Sequence, residues 1–227
     1  LAKVEGELGI IPMEAGQEIC VKAKVELMDF QKMKKQIDLT GHPIVPLIRV
    51  FQDVCNGDAG EYIHWGATTQ DIMDTATILQ IKEAYQEIFP KAVTLLEQIK
   101  EFAARHRDLV MTGRTHGQHA LPITLGFKAA VWASEMKRNI ERMKECEKRI
   151  FVGQFSGAVG TLASLGEIGI RVQEGMMKEL GLGVPEITWH TSRDNLAEFV
   201  CVLGILTSTV GKIANEIVNL QKTEFSE

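Results

Sequence analysis

The stretch Thr112-Gly-Arg-Thr-His-Gly-Gln-His-Ala-Leu-Pro122 packs Arg114, Thr115, His116, Gln118 and His119 into a glycine-punctuated segment between two long helical patterns. A guanidinium, a hydroxyl, an amide and two imidazoles in so short a run are costly unless they bind something. Together they can hold a carboxylate and move a proton near neutral pH. A second polar knot, His64-Trp-Gly-Ala-Thr-Thr-Gln-Asp71, has the same character. Thr68, Thr69 and Gln70 precede a helix expected to begin near Asp71, and hydroxyls beside free helix-start amides suit an anion. Plain N-capping by Thr68 or Thr69 is compatible with that role. A third knot, Trp189-His-Thr-Ser-Arg-Asp194, stands before the longest helical pattern. It reads equally well as a capping turn with an Arg193–Asp194 surface pair. His42 and His64 are each weak signals alone.

Other chemistries fit less well. A His116-x-x-His119 metal pair lacks an HExxH pattern and a completing carboxylate, so no metal is expected. The serines at Ser134, Ser156, Ser164, Ser192, Ser208 and Ser226 sit in no G-x-S-x-G elbow. The Gly-rich run Val152–Gly160 lacks the Gly-Lys-Ser/Thr ending of a phosphate loop, and close backbone packing explains it better.

Helices must position these knots. Leu196, Phe199, Leu203, Leu206, Val210, Ile213, Ile217 and Leu220 recur every three or four residues, the seam of a long packed helix. Met136, Ile140, Met143 and Ile150 mark a similar stripe on a helix opening near Leu125. A third helix is predicted from Asp71 to about His106, kinked at Pro90. A fourth runs from about Ile168 to Leu180 and stops at Gly181-Leu-Gly183 before Pro185. Strand signals are nearly absent. The chain is therefore expected to be all-α. It divides into a helical N-terminal region, 1–56, with breaks near Gly16 and Gly41-His-Pro43, and a long-helix bundle, 57–227. A seam of this length suggests association with further subunits.

Composition narrows the partners. The 227 residues carry a net charge of -5, so no basic excess is available for a nucleic-acid backbone. Cys20, Cys55, Cys146 and Cys201 are scattered without a CxxC pair, as in reduced cytoplasmic proteins, and each reads as a small buried apolar residue. The apolar run Phe199–Val210 is shorter than the roughly 20 residues a bilayer needs, so no membrane is expected. No signal peptide is read at Leu1, and the chain reads as a piece of a longer protein.

At these residues the chain resembles the fumarase/aspartase superfamily, in the branch holding adenylosuccinate lyase and 3-carboxy-cis,cis-muconate cycloisomerase. The matching segments are His64–Thr75, Gly113–Gly126, Ser156-Gly-Ala-Val-Gly-Thr161 and Gln221-Lys-Thr-Glu224, in family order over nearly the whole chain. The resemblance implies a mostly helical fold whose central helices form a homotetramer, with active sites shared between subunits. It implies β-elimination from a succinyl-type substrate with release of fumarate, or a related cycloisomerisation, and no cofactor. Carried over by position, His116 is the general acid, while Thr68 and Thr69 bind a substrate carboxylate. His42 and His64 line the pocket, and Arg114, Thr115, Gln118, His190 and Arg193 complete the binding set for a small anionic di- or tricarboxylate. The family's base is a serine on a Gly-Ser-Ser-x-Met-Pro-x-Lys loop, expected beyond Glu227. Trp189-His-Thr with Arg193-Asp194 resembles the carboxymuconate branch, whereas His116 is the residue an elimination requires. A scaffold that kept the fold without the chemistry is the reading of another class.

Overall fold

In a computed structural model that describes residues 1–225, the chain is built almost wholly of helices. In order they are α1 (Ala2–Glu7), α2 (Met13–Lys22), α3 (Phe30–Thr40), α4 (Ile44–Gln52), α5 (Thr69–Arg105), then strands β1 (Val110–Thr115) and β2 (Gln118–Thr124), then α6 (Leu125–Ile150), α7 (Gly169–Leu180) and α8 (Asp194–Leu220). Ser226, one of the serines considered above, lies outside the described residues. The long helices stand where the apolar spacing put them. Helix α5 continues for 37 residues through Pro90. The antiparallel β1–β2 hairpin is the departure from the sequence reading, which saw almost no strand signal there.

Two compact units share the chain, cutting across the linear division at residue 56. The first comprises Leu1–Leu79 and Val152–Thr191. Within it α1 packs on α2 and α7, and α3 on α4. Ala2, Ile11 and Ile19 form a small core backed by Phe51, Tyr62 and Ile63. The run Val152–Gly160 lies in this unit, and it includes a close approach: a Cβ at Gly153 would stand 2.1 Å from the Met177 sulfur. Glu5 is fully buried in α1, and among the described residues neither of its carboxylate oxygens has a hydrogen-bond partner. Burial pushes its pKa up to about 7.

The second unit comprises Gln80–Phe151 and Ser192–Glu227. Its core joins Tyr85, Ala92 and Ile99 of α5 to Trp132, Met136, Met143 and Ile150 of α6 and to Phe199, Val202, Leu206 and Ile213 of α8. The seven-residue spacing of Phe199, Leu206, Ile213 and Leu220 puts all of them on the buried side of α8. A polar cross-link sits inside this contact. Asn139 Nδ2 donates to Thr209 Oγ1 at 2.8 Å, and that hydroxyl donates to Glu135 at 2.9 Å. Helix α8 contains a window of mean hydropathy 1.6 and is long and apolar enough to cross a membrane. The apolar stretch is thus longer than the run considered above. Its core-facing side packs on α5 and α6, and the Asn139–Thr209 cross-link ties it to α6.

Candidate active site

The start of α5 organises the first unit's polar residues. Asp71 reaches back from the first turn, and its Oδ2 accepts the Thr68 N–H at 2.9 Å. This is half of a capping box, with the acidic residue at the third helical position. The sequence reading gave capping to the threonine hydroxyls. The structure shows the reciprocal half instead, Asp71 taking the Thr68 N–H, and among the described residues neither hydroxyl caps the helix. Both threonines are half-buried.

Asp71 is fully buried and binds well beyond its own helix. Its Oδ1 accepts the Ser156 N–H at 3.0 Å, and its Oδ2 accepts the Gly157 N–H at 2.9 Å. His190 Nε2 donates to Oδ1 at 2.6 Å. One carboxylate therefore ties the α5 start to the Ser156-Gly157 loop and to the third polar knot.

Gln154 is the second hub. Its side-chain amide donates to Ser156 Oγ at 2.8 Å and to Thr188 Oγ1 at 3.0 Å, and its Oε1 accepts the Trp189 N–H at 2.9 Å. Thr188 Oγ1 is 3.1 Å from His190 Nδ1, which completes a chain from Gln154 through Thr188 and His190 to Asp71. Thr75 Oγ1 donates to the Gln154 carbonyl at 2.7 Å and accepts its N–H at 2.9 Å. Trp189 is buried, and its indole N–H donates to the Gly153 carbonyl at 2.9 Å. Its ring therefore holds the loop in place.

His42 precedes α4, and its Nε2 lies 3.2 Å from Thr69 Oγ1. His64 has a positive φ of 69°. Its buried Nε2 has no hydrogen-bond partner among the described residues. Burial lowers the His64 pKa, opposed by a backbone hydrogen bond to Thr68 and by the charge of Asp71. The first unit thus brings His42, His64, Thr68, Thr69 and His190 into one network.

The second unit carries the remaining sequence candidates. Thr115 pairs with Gln118 across the hairpin, leaving His116-Gly117 as its two-residue turn. Both turn residues have positive φ, 53° and 71°, which defines a type I′ turn. Gly117 suits its position because side chains disfavour that conformation. His116 pays some strain to sit at an exposed tip, and Thr115, Gln118 and His119 are exposed beside it. Arg114 stacks on Phe225, its guanidinium carbon 4.7 Å from the ring centre. Arg193 is the N-cap residue of α8. Asp71, Gln154, Ser156 and Thr188 are the members that sequence reasoning missed. Asp71 adjoins the Thr68-Thr69 signal, but in the sequence it marks only the expected start of the helix.

A profile of the family described as Lyase matches residues 1–227. The chain is 42% identical over its whole length to the N-acetyl-S-(2-succino)cysteine lyase of Enterococcus italicus, covering 50% of that protein. It is 46% identical to the adenylosuccinate lyase of Methanothermobacter thermautotrophicus, covering 51% of it. The crystal structure of β-carboxy-cis,cis-muconate cycloisomerase from Acinetobacter calcoaceticus superposes with a TM-score of 0.96 at 39% identity, over all of this chain and 54% of the other. The chain thus spans about half the length of these relatives.

Proposed function

The chain belongs to the lyase family of the fumarase/aspartase superfamily, and from that premise we propose that the whole protein eliminates fumarate from an N- or S-succinyl substrate. The observation that carries this reading is the pair Thr68-Thr69 at the start of α5. Asp71 takes the Thr68 N–H, and among the described residues neither threonine hydroxyl is engaged in capping the helix. A substrate carboxylate set against them gains hydroxyl donors and the positive end of the helix dipole. The same groups stabilise the second negative charge that develops when the α-proton leaves and an aci-carboxylate forms. His116, on its strained turn, is the general acid that protonates the departing nitrogen or sulfur. Arg114, Thr115, Gln118, His190 and Arg193 belong to the anion-binding set.

Two of the relatives are named for succinyl substrates, one linked through sulfur and one to a nucleotide. Both names fit a conserved handling of the succinyl half and a variable leaving group. The cycloisomerase likeness is the second reading, favoured by the Trp189-His190-Thr191 segment. A homotetramer with shared sites fits the exposed face of α8. Val200, Gly204, Gly211, Ala214 and Val218 share that face, and nothing lies within 4 Å of a Cβ placed at Gly204 or Gly211.

The test is fumarate formation by full-length protein, followed spectrophotometrically with S-succinylcysteine derivatives and adenylosuccinate, with carboxymuconate isomerisation run alongside. His116→Gln is expected to lower turnover at least about a hundredfold. Near-normal turnover removes His116 from the acid role. Turnover of carboxymuconate alone replaces elimination with cycloisomerisation.

A further inference from the structure

Resting on the carboxylate-binding role given to Thr69, we propose that His42 is a positioning residue that fixes the direction of the Thr69 hydroxyl and makes it a dedicated donor to substrate. The argument begins at the other ring nitrogen. Val45, in the first turn of α4, donates its backbone N–H to His42 Nδ1 at 3.3 Å. That nitrogen is therefore the acceptor, because an N–H there would face another N–H. The ring proton then sits on Nε2, which points at Thr69 Oγ1 across 3.2 Å. Thr69 Oγ1 accepts that proton, so its own hydrogen must turn elsewhere.

The base of the imidazole is pinned as well. Thr40 Oγ1 donates to the Gln36 carbonyl at 2.8 Å and accepts the His42 N–H at 3.3 Å. A helix-start amide thus sets the tautomer, the tautomer sets the hydroxyl, and the hydroxyl meets the anion. A threonine without this neighbour can rotate to accept or to donate and must be ordered by the ligand on binding. One held by His42 is ordered beforehand, and the ordering cost falls out of the binding step. In this role His42 acts through Thr69.

The experiment is a double-mutant cycle in full-length protein, with fumarate and succinate titrated by calorimetry and steady-state kinetics measured in parallel. His42→Leu keeps the ring's bulk and removes its donor. Thr69→Val removes the hydroxyl. Each is expected to weaken fumarate binding about tenfold and to raise KM by a similar factor, with kcat changing less than about threefold. The double variant is expected to bind no more weakly than Thr69→Val alone, since the His42 effect passes through the hydroxyl. His42→Gln, whose amide nitrogen can reach the place of Nε2, is expected to restore most of the affinity. That recovery separates donation from a merely structural loss. Effects that multiply to about a hundredfold in the double variant overturn the role, as does failure of His42→Gln to recover binding in a folded protein. Wild-type protein that binds neither dicarboxylate overturns the elimination reading and this role together, whereas binding with multiplicative effects overturns this role alone.

Discussion

Asp71 and His190 stand 119 residues apart in sequence and 2.6 Å apart in space, joined by a hydrogen bond from the imidazole Nε2 to a fully buried carboxylate oxygen. The same carboxylate takes the Thr68, Ser156 and Gly157 amides. It is the point through which the α5 start, the Ser156 loop and the third polar knot hold one another.

Replacing Asp71 with Asn tests that convergence. One oxygen becomes a donor group, and it would face amides that are donors themselves. Buried donors stripped of an acceptor in this way cost about 3 kcal/mol in total. The midpoint of urea unfolding should fall accordingly, with little change in the slope. An unchanged midpoint would show that the carboxylate is dispensable to the fold.

Glu5 gives a pH signature. Its carboxyl is neutral in the folded state up to about pH 7, against an ordinary value of 4.5. Between these values the folded chain holds a proton that the unfolded chain has lost, so stability falls as pH rises through that window. Glu5→Gln escapes the penalty. The variant should match the parent near pH 4 and exceed it by about 2 kcal/mol at pH 8, after some discount for water reaching the site. Thermal melts of full-length protein at the two pH values decide it. A variant no more stable at pH 8 would show that Glu5 finds a partner in the complete protein.

The open face of α8 predicts assembly. Val218, 60% exposed, is the site to perturb because it lies away from the α5–α6 contact. Val218→Arg would place a charge in the proposed apolar interface, which costs several kcal/mol when the charge is unpaired. Light scattering should show full-length protein moving from the proposed tetramer to smaller species at micromolar concentration, with its helical circular dichroism kept. An unchanged mass would take this face out of the assembly.

The long helices were legible because burial leaves a periodic trace. Phe199, Leu206, Ile213 and Leu220 repeat every seventh residue and all face the core. The hairpin was hidden because β2 lies largely exposed and its run Gln118–Thr124 contains a proline, so alternation is lost. His116-Gly117 between Thr115 and Gln118 was the turn signal available, and it was read as catalytic punctuation. The polar knots stand out in the sequence for a simple reason: imidazoles, a guanidinium and paired hydroxyls seldom cluster by chance. Their wiring was not. The Asp71–His190 and Thr75–Gln154 links join distant segments, and a single sequence carries no trace of such a pairing. Gln154 in particular lies within a glycine-rich run that carries no signal for it, yet it is among the most deeply buried polar side chains.

The first unit is discontinuous, with residues 80–151 of the other unit falling between its two pieces. A chain leaving the ribosome therefore presents His42, His64, Thr68 and Thr69 long before His190 has been made, with Asp71 buried by nothing. Closing the unit means bringing the ends of that intervening stretch together. The entropy of closure grows only with the logarithm of loop length, and it shrinks further if α5 and α6 have already packed as a local helical pair. Local helices form quickly and distant pairings slowly. The order of events that this favours is a helical insert first and the Asp71 network last, so that Thr68 and Thr69 gain their fixed surroundings only late in folding.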